Sequence, residues 1–284
     1  MVANPEKPSS RALIREAARL IRAGGRAALA DSVTSQIARL DVRVRTISST
    51  GALAREVDLL MVFGGDGTML RVARETAGAR TPVIGINAGS LGFLTDVQAH
   101  QLPLALKQIW AGECVVDARP LIEATGDARG QTIREIALND FVVSRGAAPR
   151  LIELEVTVDD DILTRYRCDG LIASSPTGST AYSLSAGGAV VSPAAKVLTL
   201  TPICPHTLSN RSVVVSLDSI VRIKVLSRRS ETMLTADGQC IIPLEFGAVV
   251  TVRQSRHSIR LLHLAGSSFF ETLRRKLNWS GSHV

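Results

Sequence analysis

Three stretches of this 284-residue chain hold residues whose types and spacing could do chemistry. Gly64-Gly65-Asp66-Gly67-Thr68 follows an apolar run and opens a helical pattern. Glycines in such a turn let the backbone approach phosphate oxygens, and the unpaired amides of a helix N-terminus receive negative charge. No GxxxxGK[ST] is present, so Mg²⁺ and backbone amides, not a loop lysine, would neutralise the phosphates. The same residues read equally well as a tight turn in which Asp66 caps the helix.

The second stretch, Gly85-Ile86-Asn87-Ala88-Gly89-Ser90-Leu91-Gly92, departs from GxGxxG, so hydride transfer does not follow, and it reads as a turn-rich loop beside the first site. The third runs from Asp169-Gly170 through Ser174-Ser175-Pro176-Thr177-Gly178-Ser179-Thr180-Ala181-Tyr182-Ser183-Leu184-Ser185 to Gly187-Gly188. Its small and hydroxylated side chains around one aromatic suit a polar ligand whose ring stacks on Tyr182, although by composition such a stretch is more often only a loop.

The elements that position these stretches change character along the chain. Arg11 to Gly24 has helical period, Val42 to Thr46 reads as a short strand, and Val57 to Phe63 as a strand buried in a parallel sheet. Thr68 to Thr76 reads as a helix and Pro82 to Ile86 as another buried strand, which together predict a doubly wound, Rossmann-like α/β domain over residues 1–115. Asn4-Pro5 looks like the loop after a first strand, which is either short or clipped at its start. Beyond Cys114, segments of alternating polarity at Leu151–Val158, Ser212–Leu217, Ile220–Leu226 and Val249–Val252 predict a β-rich, sandwich-like domain over 118–262. Phe269, Phe270, Leu273 and Leu277 recur at helical spacing, so residues 263–284 are expected to form a helix that packs back on the first domain. The site is expected where the two domains meet, since clefts form there preferentially.

Composition excludes several classes. Apolar residues make up 45% and charged residues 21%, which argues against disorder, coiled coil and collagen-like repeats. Against 26 acidic residues stand 33 Lys and Arg, a net charge of +7, but the basic residues are scattered and not interleaved with aromatics. A polyanionic small molecule therefore explains the charge at least as well as a nucleic acid. Cys114, Cys168, Cys204 and Cys240 form no CxxC pair, so neither a zinc site nor a disulfide framework is suggested. With no apolar leader and no run of 18 apolar residues, a cytoplasmic protein without membrane attachment is expected.

Gly64 to Thr68, Gly85-Ile86-Asn87 to Gly92-Phe93-Leu94, Asn139-Asp140, Asp169-Gly170 through Gly187-Gly188, and Pro205-His206-Thr207-Leu208 occur in the order and spacing of the NAD kinase family. The chain resembles that family over nearly its whole length. The Gly-Gly-Asp-Gly tetrad is shared with diacylglycerol and sphingosine kinases, whereas Pro-Thr-Gly-Ser-Thr-Ala-Tyr is specific to NAD kinases. The resemblance implies Mg²⁺-dependent transfer of the γ-phosphate of ATP, or of a phosphoryl from polyphosphate, to the 2′-hydroxyl of the adenosine ribose of NAD. It implies Asp66 as the base, with Gly64, Gly65 and Gly67 leaving room for donor phosphates.

By the same resemblance NAD is held by Asp66, Gly67, Asn139, Asp140, Arg150, Arg167, Asp169, Thr180, Ala181, Tyr182, Ser183, Leu184, Ser185 and Gln239. Many members carry Glu at the position of Asp140, Thr at Ser175 and Pro at Ser212. Read without the family, Asn139-Asp140 is turn chemistry before the strand Phe141-Val142-Val143. Arg167 corresponds to a basic or polar residue in members that prefer NAD to NADH. His206 falls in the family's Pro-His-Thr stretch and is otherwise a structural histidine. The family implies a homodimer or homotetramer. A lipid kinase would need an apolar groove where residues 169–188 are small and hydroxylated, and retention of Asp66 argues against a catalytically silent NAD-binding protein.

Overall fold

The computed structural model describes residues 1–5, 10–87, 89, 92–128, 130–148, 150–207, 209–228 and 230–279. Two compact units emerge: Met1–Ala118 together with the chain from Ile259 onward, and Arg119–Ser258.

In the first unit β1 (Val2–Ala3), α1 (Ser10–Ala23), β2 (Leu29–Asp31), α2 (Ser32–Ala38), β3 (Arg45–Ile47), α3 (Thr50–Glu56), β4 (Leu60–Phe63), α4 (Asp66–Glu75), β5 (Val83–Asn87), β6 (Val97–Gln98) and α5 (Leu102–Ala111) follow in turn. β1, β4 and β5 are parallel neighbours, with Val2 opposite Val62 and Met61 opposite Ile84. Met61 and Phe63 join Ile14, Ala17, Leu102 and Leu106 in one buried cluster. Leu60 and Val62, on the other face by strand alternation, are equally buried. Cover on both faces explains why these strands read as unbroken apolar runs, and it makes the unit α/β.

Local chemistry moves two element boundaries. The strand expected over Val42–Thr46 lies at Arg45–Ile47, because the Asp41 carboxylate accepts both the backbone N–H and the guanidinium of Arg43. Val44 N–H also bonds Asp41 O at 2.9 Å, so the segment turns and leaves Val42 98% exposed. The run from Val57 becomes strand only at Leu60, since Val57 closes α3 in extended conformation.

The second unit is built from β7 (Cys114–Ala128), β8 (Gln131–Ala137), β9 (Asp140–Arg145), β10 (Ile152–Val158), β11 (Asp161–Cys168), β12 (Gly170–Ser174), the short helix α6 (Tyr182–Ser185), β13 (Val197–Ile203), β14 (Val213–Ser216), β15 (Val221–Val225), β16 (Thr232–Ala236), β17 (Cys240–Leu244) and β18 (Val249–Leu264). One antiparallel sheet runs β14-β13-β12-β9-β16-β17. In the other, β18, β15, β10 and β11 lie side by side and the β7–β8 hairpin joins β18. Alternating residues of β10 (Ile152, Leu154, Val156) and β15 (Val221, Ile223, Val225) share a core cluster with Phe141, Val143, Leu171 and Ala173 of the first sheet. The result is a two-sheet sandwich with one apolar interior.

β18 is far longer than the Val249–Val252 segment its alternation suggests. Val252 pairs with Val221 of β15, and nine residues on, Leu261 pairs in parallel with Val83 of β5, so the boundary of the units falls inside this strand. The tail then forms α7 (Phe269–Lys276), where Leu273 is buried while Phe270 is 60% exposed and meets Phe269 edge-on. Among the described residues no helix is long and apolar enough to cross a membrane.

Candidate functional site

The strand-to-helix turn starts α4 without a side-chain cap. Gly64 N–H extends the parallel ladder to Ile86 O at 3.0 Å, and Gly65 O accepts from Thr68 N (3.0 Å) and Met69 N (3.2 Å) to close the first turn of α4. α2 and α3 have their first turns capped by the side chains of Asp31 and Ser49, but α4 has Gly65 at its N-cap and no side-chain cap bond. A Cβ at Gly64 would fall 2.3 Å from Thr68 Oγ1, whereas one at Gly65 would meet nothing nearer than Asn87 Nδ2 at 3.9 Å. Packing therefore demands glycine at position 64, and at 65 the space over the amides is open, as an incoming anion requires.

Asp66, the first residue of α4, does not cap its own helix. Its carboxylate turns to the loop after β5, where Oδ2 accepts Phe93 N–H at 2.8 Å and Oδ1 accepts Leu94 N–H at 3.1 Å. Each oxygen keeps a lone pair for a further donor. The approach is so close that a Cβ at Gly92 would lie 1.9 Å from Oδ1. Ala88, Ser90 and Leu91 of this loop lie outside the described residues, as does Leu208.

The loop is anchored in turn by Asp96, whose Oδ1 is 3.0 Å from His263 Nδ1 and whose Oδ2 accepts Leu264 N–H and the Ser267 hydroxyl, both at 2.8 Å. Burial pushes the Asp96 carboxyl up, but these bonds more than reverse it and hold it below the usual carboxylate range.

In the second unit, Asn139-Asp140 enters β9, as turn chemistry before a strand predicts. Asp140 is only 4% exposed, and no described residue hydrogen-bonds its carboxylate. Burial, reinforced by the charge of Asp237, raises its pKa to about 7. After β12, the stretch that reads by composition as a loop is instead folded and buried: Thr177–Thr180 makes a 3-10 turn, and Ser179 Oγ donates to Pro176 O at 2.7 Å. Gly178 is needed because a Cβ there would sit 2.2 Å from Asn139 O.

Other expected contacts vary in what they leave for a ligand. Ser183 is buried and its hydroxyl is 2.9 Å from Thr201 Oγ1, so it faces the sheet and only its backbone remains available. Thr180, Ala181 and Leu184 are half-buried, while Ser185 and Gln239 are exposed and Tyr182 presents 48% of its surface. Asp169 Oδ1 accepts Arg145 Nε at 2.7 Å, and Arg145 Nη1 also reaches Ala148 O, to which Arg150 N–H donates. Arg150, Arg167 and His206 are exposed, and His206 N–H donates to Arg167 O. Sequence reasoning overlooks Asp237 and the buried Arg119, whose Nη1 is 3.4 Å from Thr177 Oγ1. For Asp237 a signal exists: Asp237-Gly238 between two alternating segments marks a hairpin.

A helix N-terminus without a side-chain cap, with a carboxylate poised on its first turn, suits transfer of a phosphoryl group, and a phosphotransferase is the class these units define. Models of the ATP-NAD kinase N-terminal domain and the ATP-NAD kinase C-terminal domain match residues 1–114 and 138–264. The chain is 40% identical over 280 residues to the NAD kinase of Symbiobacterium thermophilum, covering 98% of each, and 44% identical over 230 residues to that of Syntrophotalea carbinolica, covering 81% of each. Among solved structures, yeast NADH kinase complexed with NADH superposes with a TM-score of 0.85 at 27% identity, over 100% of this chain and 87% of that one. An NAD kinase from Archaeoglobus fulgidus in complex with ATP gives 0.70 at 26% identity, over 90% and 99%. The chain belongs to the NAD kinase family.

Proposed function

We propose that the protein transfers the γ-phosphate of ATP to the 2′-hydroxyl of the adenosine ribose of NAD. The observation that carries this reading is Asp66: two loop amides orient its carboxylate at the foot of an uncapped helix N-terminus, leaving lone pairs for a hydroxyl proton. The amides of that turn, with the space over Gly65, receive donor phosphates. Asn139 and the unpartnered carboxylate of Asp140 receive the acceptor's ribose and base, and Tyr182 offers a ring face. Binding of NADH by the yeast relative and of ATP by the archaeal one supports this pairing of ligands.

Among the described residues no group of three His, Cys, Asp or Glu side chains forms a metal cage. A divalent cation such as Mg²⁺ would thus take most of its ligands from phosphate and water, and it would neutralise donor charge that no loop lysine covers. The enzyme is read as cytoplasmic and, on family grounds, as a homodimer or homotetramer. The test is NADP formation from NAD and Mg²⁺-ATP, read by a coupled NADP-specific dehydrogenase, with polyphosphate as alternative donor and sphingosine and diacylglycerol as competing acceptors. Activity should vanish in excess EDTA and return with Mg²⁺ or Mn²⁺. Absence of NADP, or full turnover in EDTA, would overturn the reading.

A further inference from the structure

We propose that Asp237 is a positioning residue that holds Asn139 and Asp140 in the geometry needed to bind NAD. This rests on the reading that those two side chains receive the acceptor. Asp237 (φ 50) and Gly238 (φ 65) are the left-handed central residues of a β-turn in the three-residue connection 237–239 between β16 and β17, closed by Gln239 N–H to Ala236 O at 2.9 Å. Such turns follow the twist of antiparallel strands, and Asp tolerates the left-handed region better than most residues. The turn aims the Asp237 carboxylate back along β9. Oδ2 accepts Leu138 N–H at 3.0 Å, and Oδ1 accepts Asn139 N–H at 2.8 Å and Asp140 N–H at 3.2 Å. Asp237 N–H returns a bond to Asp140 O at 3.0 Å.

The opposite side of the segment is held as firmly. Leu138 O accepts the Ser175 hydroxyl at 2.5 Å, and Asn139 O accepts Ser175 N–H at 2.8 Å and the Ser174 hydroxyl at 3.3 Å. Every backbone donor and acceptor from Leu138 to Asp140 is therefore engaged, and these peptides cannot rotate without breaking buried bonds. The side chains of Asn139 and Asp140 are what this clamp leaves for a ligand.

The three amide bonds to Asp237 come with an electrostatic cost. A second negative charge beside the buried Asp140 is unfavourable, and both are kept close. Asp237 is the charge that acts on Asp140, while the buried Arg119 turns to Thr177 Oγ1 of the neighbouring 3-10 turn at 3.4 Å.

The experiment measures steady-state kinetics of Asp237→Asn against wild type, with NAD and ATP varied separately across pH. Asn keeps one acceptor oxygen and the shape, but loses the charge and one of the oxygens that receive the three amides. KM for NAD should rise about 10–100-fold with KM for ATP within twofold, as expected when a binding segment slips by a fraction of an ångström to an ångström. By this proposal the acidic limb of kcat/KM for NAD reports Asp140, so removing the neighbouring charge should move it to lower pH, a shift that an uncharged structural role at 237 would not produce. Asp237→Glu keeps the charge but displaces the amides, so its KM for NAD should rise while its acidic limb stays near the wild-type position.

A folded Asn variant with unchanged KM for NAD, a parallel rise in both KM values, or an unmoved acidic limb would overturn the proposal. Should Asn not fold, the Glu variant decides on KM alone. If neither folds while wild type is active, Asp237 is a folding residue and the assignment falls. Wild-type protein that makes no NADP refutes the kinase reading instead.

Discussion

Asp140→Asn offers a direct measure of what it takes to bury an unpartnered carboxyl. In the folded chain Asp140 titrates at about 7, against 3.8 for a free aspartate. Between these values the native state keeps a proton that the unfolded chain has released, so this group's contribution to stability falls as pH rises from about 4 to 7 and then levels off. The Asn variant lacks that loss. At about 1.36 kcal/mol per pH unit, the full separation is worth about 4 kcal/mol, of which somewhat over a third is already lost at pH 5, leaving about 3 kcal/mol between pH 5 and 8.5. Water reaching the 4% of the residue that remains exposed relieves part of this, so about 3 kcal/mol is a ceiling. Urea unfolding followed by far-UV circular dichroism, without nucleotide, should show the variant gaining about 1–3 kcal/mol on wild type from pH 5 to 8.5. Stability profiles that stay parallel to within about 0.5 kcal/mol would refute the idea that Asp140 is ionised at a penalty.

Asp66→Asn keeps the shape but removes the proton acceptor, so turnover should fall roughly 10²–10⁴-fold with NAD binding largely kept. Near-wild-type turnover would sink the base assignment. Gly92→Ala places a methyl 1.9 Å from Asp66 Oδ1 and must push the carboxylate off Phe93 and Leu94. A loss of kcat of about 10-fold or more in a folded variant is expected, and unchanged kcat would show that those two amides do not align the base. Arg167→Gly removes an exposed cation from β11 and should improve the use of NADH relative to NAD by about 10–200-fold in kcat/KM. If the ratio does not change, Arg167 has no part in choosing the oxidation state.

What could be read from residue order follows the range of the interactions involved. The buried run ending at Phe63, the glycine turn and the helix behind it are local, and their apolar pattern announces them. α2 and α3, of seven residues each, carry too few turns to show a period, although Asp31 and Ser49 stand at their N-caps as start signals. The choice between Asp66 as helix cap and Asp66 as an oriented carboxylate could not be made locally, because its partners lie 27 and 28 residues on. The same holds for Asp237, whose three amide bonds span 97 to 99 residues. Beyond Val252, arginines and two histidines break up the alternation of β18, so its long continuation toward Leu264 is hidden although the backbone runs on unbroken.

The pairing of Leu261 with Val83 has a consequence for how the chain is made. The strand that covers this part of β5 emerges from the ribosome about 180 residues after β5 itself, which at 5–20 residues per second is roughly 10–40 seconds later. Throughout that interval the α/β unit has an open sheet edge and an apolar face that Leu262 has yet to fill. The nascent chain is thus exposed to mispairing until the last few dozen residues arrive, while the sandwich strands are synthesised in between. A circular permutation that moved this segment ahead of β1 would let the first unit close early, and it should reduce aggregation during synthesis without altering any residue of the site.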